Sequence, residues 1–538
     1  MDTMQATKLS REAVTPTWAP PIGVADERVR DVVRSFLDHA ATGMGRATHY
    51  NDMDEVRGAE LRSHGDMLAL DRSLYAAFLT LPGATDRTRQ LGVRSLLMRQ
   101  RVSASALVSA KQELVLVDDL LHELPATRML RLLVSLRGKD KSLGSGRVNT
   151  NRARKLVLRT LLRSRSLDWW AVKYRDKLST ALTHAWGVRK TGILRSIVGK
   201  EPASLSEKEH KILREEVDRW APKAPVAWLR ECVAYTLGAE RKAWSIPVFY
   251  KARAAKTNLA AGQGLPLEVL QGIAATYHPK ASKAQLLELS KGAMSAGQRM
   301  AVQRQAKDAG VDVEMDPTRL EAVKLYIYAF EMGMTPAIER ALNDKARKAA
   351  LQFPFHYESV GVVVDSSASM FGSSDQKLRP MATALATRDM LLHTARQGHV
   401  RYVGGTANPD LGRLVRPRGE TDLASALLQM IRLRPDVIYV ISDGYENAPA
   451  GRFADVCAHL KRIGIRAPIV HINPVVAAET SGVRELAPGL VPTLPMTKPD
   501  ASGISLLRAM LDHEPRRVID ALLRMTSLPP RADREVLQ

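Results

Sequence analysis

The chain has 538 residues, of which 45% are hydrophobic and 25% are charged, and this ordinary globular composition excludes wholesale disorder and collagen-like architectures. Its two cysteines, Cys232 and Cys457, are too few for a disulfide framework and too far apart for a cysteine zinc site, which favours a reducing compartment. No apolar run approaches the ~20 residues that span a bilayer, so we expect a soluble, cytoplasmic protein with no membrane partner.

The charge is strongly positive and unevenly distributed. The formal net charge is +22 at pH 7, and residues 1–350 carry +19 of it. Residues 151–200 alone hold 13 Lys and Arg side chains but only two acids, Asp168 and Asp176. Such a concentration of one sign indicates a polyanion as the partner.

Three segments follow one another along the chain. Residues 1–25 contain three prolines and show no clear period, which predicts a flexible N-terminal arm. Residues 26–352 carry apolar residues at three- and four-residue spacing, which predicts many helices. No strict repeat period is visible, but the number of helices favours an all-α domain of HEAT-like helical repeats. Residues 353–538 have a different texture and predict an α/β domain.

This last segment alternates β-branched runs with helical patterns. The predicted strands are 360–364, 400–403, 437–441, 468–472 and 490–494. The predicted helices are 381–396, 422–432 and 451–463, followed by a last helix at 504–525. The alternation predicts a parallel, doubly wound sheet with helices on both faces, in which ligands bind at the carboxyl ends of the strands.

The first predicted strand runs directly into a D-x-S-x-S motif that begins at Asp365. One carboxylate and two hydroxyls at alternate positions can converge on a hard cation, because Mg²⁺ prefers oxygen ligands. Thr421 opens the helix after the second strand and Asp443 follows the third strand, so these side chains are expected at one edge of the sheet. The alternative is that they only cap helices and turns. The predicted metal ligands are Asp365, Ser367, Ser369, Thr421 and Asp443.

This set resembles the metal-ion-dependent adhesion site of von Willebrand factor A domains, whose pattern is D-x-S-x-S, then a Thr, then an Asp. The resemblance covers about residues 355–538, with Ala368 where the family commonly has glycine. It implies a bound Mg²⁺ or another divalent cation. It also implies an open coordination position, which an acidic group of a partner often completes in that family.

A cationic stripe is predicted on the helix that begins near residue 151. On a helical wheel, Arg152, Lys155, Arg159 and Arg163 fall within about 80° of each other, opposite an apolar face. Cations and aromatic residues then alternate up to residue 195, and this mixture suits RNA because cations neutralise phosphates and rings stack on unpaired bases. The pair 169–170, both Trp, is predicted to be core rather than a stacking platform. Further predicted RNA contacts are Lys173, Arg175, Lys177, Arg189 and Lys190.

A helical N-terminal part followed by an A domain resembles the TROVE-domain family, which comprises the Ro autoantigen and its bacterial orthologues. Residues 171–175 and the downstream His184 are similar to a family segment in which a Lys-Tyr pair, a nearby Arg and a His are implicated in RNA binding. The resemblance assigns such roles to Lys173 and His184, and the arginine's role to Arg175 or Lys177. From composition alone, His184 is a satisfied core or surface residue.

The same resemblance implies a specific function. It implies a ring-shaped helical domain, joined by the A domain, that binds small noncoding Y-like RNA on its basic outer surface. It further implies that single-stranded 3′ ends of misfolded RNA enter the central hole, and that a monomer couples to an exoribonuclease in RNA quality control.

Two other classes of function are weighed against this RNA-binding scaffold. The first is a metal-dependent protein-interaction module whose basic surface contacts acidic proteins. The second is an enzyme, which is not expected, because the sequence has no G-x-x-x-x-G-K-[ST] loop and no H-E-x-x-H helix, and no nucleophile and base in register. Metal-dependent nuclease activity at Asp365 and Asp443 stays open.

Overall fold

The computed structural model describes residues 18–42, 53–98, 107–138, 143–144, 146–351, 353, 355–372, 377–407, 414–465, 468–475, 484–511 and 515–526. Within these ranges the chain is helical up to residue 350 and then forms a five-stranded parallel sheet with further helices. The predicted order of a helical part followed by an α/β part is therefore confirmed.

Eighteen α-helices of the described chain precede the sheet. Serines start several of them; Ser109 and Ser206, for example, each accept a hydrogen bond from the third helical amide in a capping box. No described helix combines the length and apolar composition needed to cross a membrane. The helices are α1 (Asp26–Thr42), α2 (Met53–Leu70), α3 (Arg72–Phe78), α4 (Asp86–Leu97), α5 (Ala110–Glu123), α6 (Ala126–Ser135), α7 (Asn151–Leu162), α8 (Leu167–Lys173), α9 (Arg175–Trp186), α10 (Val188–Val198), α11 (Glu207–Glu216), α12 (Val226–Leu237), α13 (Pro247–Ala254), α14 (Leu267–Tyr277), α15 (Lys283–Ser290), α16 (Ala296–Asp308), α17 (Ala322–Met332) and α18 (Pro336–Ala350).

Trp18 ties the start of the described chain to the helical core. Its indole Nε1 donates to Asp71 Oδ2 (2.7 Å), its backbone N–H donates to Asp520 Oδ1 (3.1 Å), and the ring is buried. The flexible arm predicted for residues 1–25 is therefore wrong at Trp18, because a large apolar ring with a bonded indole N–H is stabilised by burial. Residues 1–17 lie outside the described residues.

The sheet has the strand order β2-β1-β5-β6-β7, and all of its strands are parallel. β1 pairs with β2 from Tyr357 opposite Ala395 to Asp365 opposite Val403, and its other edge pairs with β5. β3 and β4 form a separate antiparallel pair. The strands are β1 (Tyr357–Asp365), β2 (Ala395–Val403), β3 (Thr406–Ala407), β4 (Val415–Arg416), β5 (Val437–Ile441), β6 (Ile469–Asn473) and β7 (Thr493–Pro495). The helices of this part are α19 (Arg379–Leu392), α20 (Leu423–Ile431), α21 (Arg452–Arg462), α22 (Ser502–Met510) and α23 (Pro515–Met525).

Helices cover both faces of the sheet, as the doubly wound prediction requires. Val362 and Val364 of β1 share an apolar cluster with α19, whereas Val363 packs on the other face with α20 and α21. Gly361 permits this second contact, because a Cβ there would lie 2.7 Å from the Met430 side chain of α20. Adjacent residues of one strand thus anchor opposite layers.

All five predicted strands are present, although the one predicted at 490–494 is Thr493–Pro495, and two predicted helices have the wrong bounds. The helix predicted at 381–396 ends at Leu392, because residues 395–396 already pair with β1 and sheet pairing outweighs the helical pattern. The single helix predicted at 504–525 is two helices, and the second begins at Pro515. Proline lacks the N–H that a continuing helix needs but suits a first helical position.

The helical part and the sheet share their cores at two places. α17 and α18 pack in the same apolar cluster as α19 and the sheet, whereas α23 and residues of α22 belong to the core of the helical part. Arg508 of α22 pairs with Asp38 of α1 (2.7 Å), and Tyr326 of α17 donates to Asp389 of α19. The C-terminal helices therefore return to the first helix, and the boundary at residues 352–353 stays a prediction.

We expect acid to destabilise the fold through buried His64. Its Nδ1 lies 2.7 Å from the Tyr75 hydroxyl, and burial lowers its pKa to about 3, against about 6.5 in an unfolded chain. The pKa of His64 is lower in the folded state than in the unfolded state, so the unfolded state binds more protons below pH 6.5. The free energy of unfolding therefore decreases as the pH is lowered. His64 should contribute a loss of about 2 kcal/mol at pH 5, measured by urea unfolding at pH 7.5 and pH 5. A His64→Gln variant should show a smaller loss, and an equal loss in both proteins would contradict this assignment.

Candidate metal centre and nucleic-acid interface

The two predicted metal-binding carboxylates lie where the strand order of the sheet reverses. The chain leaves β1 to build β2 on one side, and later returns to build β5 on the other side. In doubly wound sheets this reversal opens a crevice at the carboxyl ends of the strands. Asp365 is the last residue of β1, and Asp443 follows the end of β5, so both belong to that crevice.

Asp365 is fully buried at the base of the crevice. Its Oδ1 accepts a hydrogen bond from the Ser367 N–H (2.9 Å), and its Oδ2 accepts one from the Ser442 hydroxyl (2.7 Å). Burial, with a further contribution from the negative charge of Asp443, raises the pKa of Asp365 to about 6. Two carboxylates that repel each other in a buried crevice are both stabilised by a bound cation.

The two motif serines lead from this crevice to the surface. Ser367 Oγ and Ser369 Oγ lie 3.1 Å apart, with Ser367 buried and Ser369 exposed. The bond from the Ser367 amide to Asp365 orients the loop that carries both hydroxyls. The crevice is therefore approachable from solvent on the side of Ser369.

A second loop brings Thr421 next to the first one. The Ala368 N–H donates to the Gly419 carbonyl (3.1 Å), and the Ala448 N–H, after β5, donates to the Thr421 carbonyl (3.2 Å). Gly404 (φ +69°) follows β2 and lies between these two loops. A Cβ at Gly404 would lie 2.8 Å from the Arg418 carbonyl and 3.2 Å from Ser367 Cα, so only glycine lets the loops come this close. The loops after β1 and β5 and the loop before α20 are thus bonded together.

Thr421 is not the cap of the helix that it precedes. The N-cap of α20 is Asp422, whose side chain accepts a hydrogen bond from the Ser425 N–H (3.0 Å). Thr421 itself is buried, and its N–H donates to Asn447 Oδ1 (2.8 Å). The alternative that Thr421 only caps a helix is therefore wrong, and the Thr421 hydroxyl stays a predicted metal ligand.

The donors present at the crevice fit a hard divalent cation. Within the described residues, no group of three or more His, Cys, Asp or Glu side chains is placed to hold a metal ion. The five predicted ligands instead comprise two carboxylates and three hydroxyls, and an all-oxygen set with few charges suits Mg²⁺, which keeps several waters in its coordination shell. The residues therefore match the cation that the A-domain resemblance implies.

Asp365→Asn should abolish stabilisation of the protein by Mg²⁺. The amide has the shape of the carboxylate but removes an anionic ligand and the repulsion with Asp443, so the metal-free variant should be at least as stable as the wild type. With Mg²⁺ at 100 times its Kd, the wild type should gain about 2.7 kcal/mol, and the variant should gain nothing. Thermal unfolding with and without Mg²⁺ measures this difference. Asp455→Asn, at an exposed position of α21, is the matched control, and a full Mg²⁺ response in Asp365→Asn would place the ion elsewhere.

Four of the ten predicted RNA-binding residues are engaged in ion pairs inside the protein. In all four pairs the two side chains lie on different helices, which favours a structural use of the charge. Arg152 is the clearest correction, since its partner Glu113 is buried and also binds Arg72. The pairs are Arg152–Glu113 (2.6 Å), Arg159–Asp118 (3.2 Å), Lys173–Glu268 (3.5 Å) and Lys190–Glu216 (2.6 Å).

His184 is a core residue in the structure. Its side chain is buried, its Nε2 lies 3.2 Å from the Val148 carbonyl, and burial lowers its pKa. A buried ring cannot reach an RNA strand, so the contact implied by the family resemblance is corrected. The composition-based expectation of a core histidine fits this position better, although the buried Nδ1 has no hydrogen-bond partner among the described residues.

The other five predicted residues are exposed cations for which the described residues supply no ion pair. Arg163 donates from Nε to the Trp220 carbonyl (2.8 Å), a neutral acceptor that leaves its charge uncompensated. Lys177 lies 5.9 Å from the centroid of the Tyr174 ring. These positions keep the positive charge available to a partner, and they are Lys155, Arg163, Arg175, Lys177 and Arg189.

The structure also places arginines on aromatic rings that the sequence analysis did not single out. Arg175 lies 5.5 Å from the centroid of the Tyr235 ring, which meets Trp244 edge to face at 5.1 Å. Arg241 and Arg253 lie 5.8 and 5.9 Å from the Trp244 ring. We call these five residues the arginine–aromatic cluster. The basic and aromatic run at residues 241–244 is the sequence signal that could have revealed it.

Comparisons with known proteins add no assignment. No protein-family model matches the chain, and no curated protein is significantly similar to it. The function is therefore inferred from the residues and their geometry.

Arg152→Ala should lower stability because it removes one of two arginines from buried Glu113. Charge-assisted hydrogen bonds to a buried carboxylate contribute about 1.5–3 kcal/mol, and Arg72 keeps part of this stabilisation at Glu113. We expect a loss of about 1–2 kcal/mol, measured by urea unfolding. Lys155→Ala, at an exposed position of the same helix, should change stability by less than about 0.5 kcal/mol. Equal stabilities of the two variants would contradict a structural role for Arg152.

Proposed function

We propose that this protein is an RNA-binding scaffold with a divalent-cation site, built as a helical RNA-binding part followed by a von Willebrand A-type part. The observation that carries the proposal is the arginine–aromatic cluster. It combines exposed Arg175 and Arg253 with two half-buried rings, Tyr235 and Trp244.

The chemistry of the cluster favours an unpaired nucleic-acid strand. Arginines neutralise phosphates and stack on bases, and aromatic rings provide platforms for unpaired bases. No carboxylate of the described chain pairs with Arg175, Arg241 or Arg253, so their charge is not consumed by the fold. The overall charge of +22 adds long-range attraction for a polyanion.

The finer assignment follows the resemblance to the TROVE-domain family. We propose that the partner is a small, structured, Y-like noncoding RNA, and that single-stranded 3′ ends of misfolded RNA and an exoribonuclease join it in RNA quality control. We propose a non-catalytic, monomeric, cytoplasmic protein whose helical repeats close into a ring.

A second candidate is a metal-dependent protein-interaction module. The observation in its favour is the crevice at Asp365 and Asp443, where exposed Ser369 leaves an approach from solvent. Asp365, Ser367, Ser369, Thr421 and Asp443 would hold the cation there, which supplies a positive charge for an acidic group of a protein partner. We prefer the RNA scaffold because the protein-interaction module does not explain the arginine–aromatic cluster on the helical part.

Replacing two arginines of the cluster should weaken RNA binding and its dependence on salt. Each lost phosphate contact makes the log–log salt slope shallower by about 0.7 for a single strand, so Arg175→Ala with Arg253→Ala should lower it by about 1.4. We expect the affinity to fall roughly tenfold or more, since each charge-assisted contact contributes about 1.5 kcal/mol or more. Fluorescence anisotropy with labelled RNA across a salt series measures both quantities.

The control for this experiment removes the same charge outside the arginine–aromatic cluster. Lys280→Ala with Lys283→Ala changes two exposed lysines near α15 and should leave affinity close to that of the wild type. Equal losses of RNA affinity in both double variants would mean that the cluster contributes only non-specific charge. Absence of RNA binding by the wild type would refute the proposed scaffold function. RNA that copurifies from source cells at low salt would identify the natural partner.

A further inference from the structure

A second cationic feature lies at the other end of α12 from the arginine–aromatic cluster. It is a cavity of about 730 Å³ between the turn after α7 and the loop before α12. This volume is within the range of small-ligand sites, about 300–1,000 Å³. The lining residues are Leu162, Arg163, Ser164, Arg165, Ala221, Pro222, Lys223, Ala224, Pro225 and Trp228.

The lining combines positive charge with flat apolar walls. Arg163, Arg165 and Lys223 are exposed, and the described chain gives none of them an ion pair. No acidic side chain is among the lining residues. Trp228 and Pro225 supply the apolar wall. Such a cavity fits a ligand with a planar ring and a negative group.

The acids nearest to this cavity along the chain are bonded within the protein. Asp218 accepts two hydrogen bonds from Arg230, at 3.1 and 2.6 Å. Glu231 is buried, and its Oε1 accepts from the Ser245 and Ile246 amides at 2.7 and 2.8 Å. Asp168, three residues after Arg165, accepts a hydrogen bond from the Trp169 amide at 2.7 Å. Within the described chain, none of these three acids forms an ion pair with the lining cations.

Helix α12 joins the cavity to the cluster. Trp228 and Tyr235 are seven residues apart, so they lie on the same face of the helix about two turns from each other. Trp228 lines the cavity, whereas Tyr235 carries Arg175 on its ring. The face between the two rings is closed, because Glu231 and Cys232 are buried there, so the cavity and the cluster are two separate openings at the two ends of one helix.

We propose that the cavity holds one unpaired nucleotide of the bound strand, with its base against Trp228 and its phosphate between Arg163, Arg165 and Lys223. This inference rests on the proposed function and deepens it, since it assigns a specific position of single-stranded RNA to the cavity. A duplex cannot insert a base into the cavity without losing a base pair.

The test uses the full chain with a labelled ten-nucleotide single strand and with a duplex of the same length. Arg165→Ala with Lys223→Ala should weaken single-strand binding about tenfold and make the salt slope shallower by about 1.4. Trp228→Leu should weaken it roughly fivefold or more, as removal of a stacking ring does, with the salt slope unchanged. Duplex binding should change less in both variants.

Controls separate this inference from the proposed function. Lys280→Ala with Lys283→Ala removes the same charge as the cavity double variant. Circular dichroism checks that each variant is folded. If Trp228→Leu unfolds, Arg165→Ala with Lys223→Ala still tests the cavity. A wild type that binds neither RNA refutes the scaffold and the inference together. A wild type that binds RNA, with cavity variants equal to the control, overturns only the cavity. Equal losses for single strand and duplex also overturn it, because charge alone would explain them.

Discussion

The candidate metal centre depends on the position of β1 in the middle of a parallel sheet. Because β1 is bonded to β2 on one edge and to β5 on the other, its last residue sits at the point where the two halves of the sheet diverge. Parallel strands end at the same edge, so Asp365 and Asp443 come together although they belong to different strands. Their repulsion is tolerated in a buried crevice only where protons, hydrogen bonds or a cation offset it.

Local pattern was sufficient to predict the strands of the sheet, but not the way in which the two parts interlock. Short β-branched runs become strands because a buried parallel strand is apolar on both faces. The return of α22 and α23 to the helical core depends on pairs such as Arg508 with Asp38, which are more than 400 residues apart. No periodicity within one helix reveals a partner at that separation. Trp18 was missed for the same reason, since its partners are Asp71 and Asp520.

The basic surface was predicted only in part, because a charge count does not show which acids are nearby in space. Arg152 and Lys155 look equivalent on a helical wheel, yet Arg152 binds Glu113 of another helix and Lys155 faces solvent. The predicted RNA contact of His184 was corrected for a related reason, because a resemblance to a family segment assigns a role to a position without showing whether that position is buried. The useful quantity is the charge that remains after internal ion pairs are formed, and that quantity requires the fold.

This remaining charge explains why an unpaired strand suits the surface better than an acidic protein or a duplex. Arg175 lies over the Tyr235 ring, which limits the guanidinium to a few orientations and lowers the entropy lost when it binds a phosphate. The Tyr235 ring is itself stacked on Phe249, with the two ring centroids 4.1 Å apart, so the half-buried rings to which we assign unpaired bases are Trp244 and Trp228. Acidic side chains would satisfy the arginines but leave the rings unused, and a duplex would reach the phosphate sites without filling the cavity beside Trp228. Exposed arginines next to half-buried rings, near both ends of α12, are therefore the reason why we propose an unpaired RNA strand and not an acidic protein as the partner.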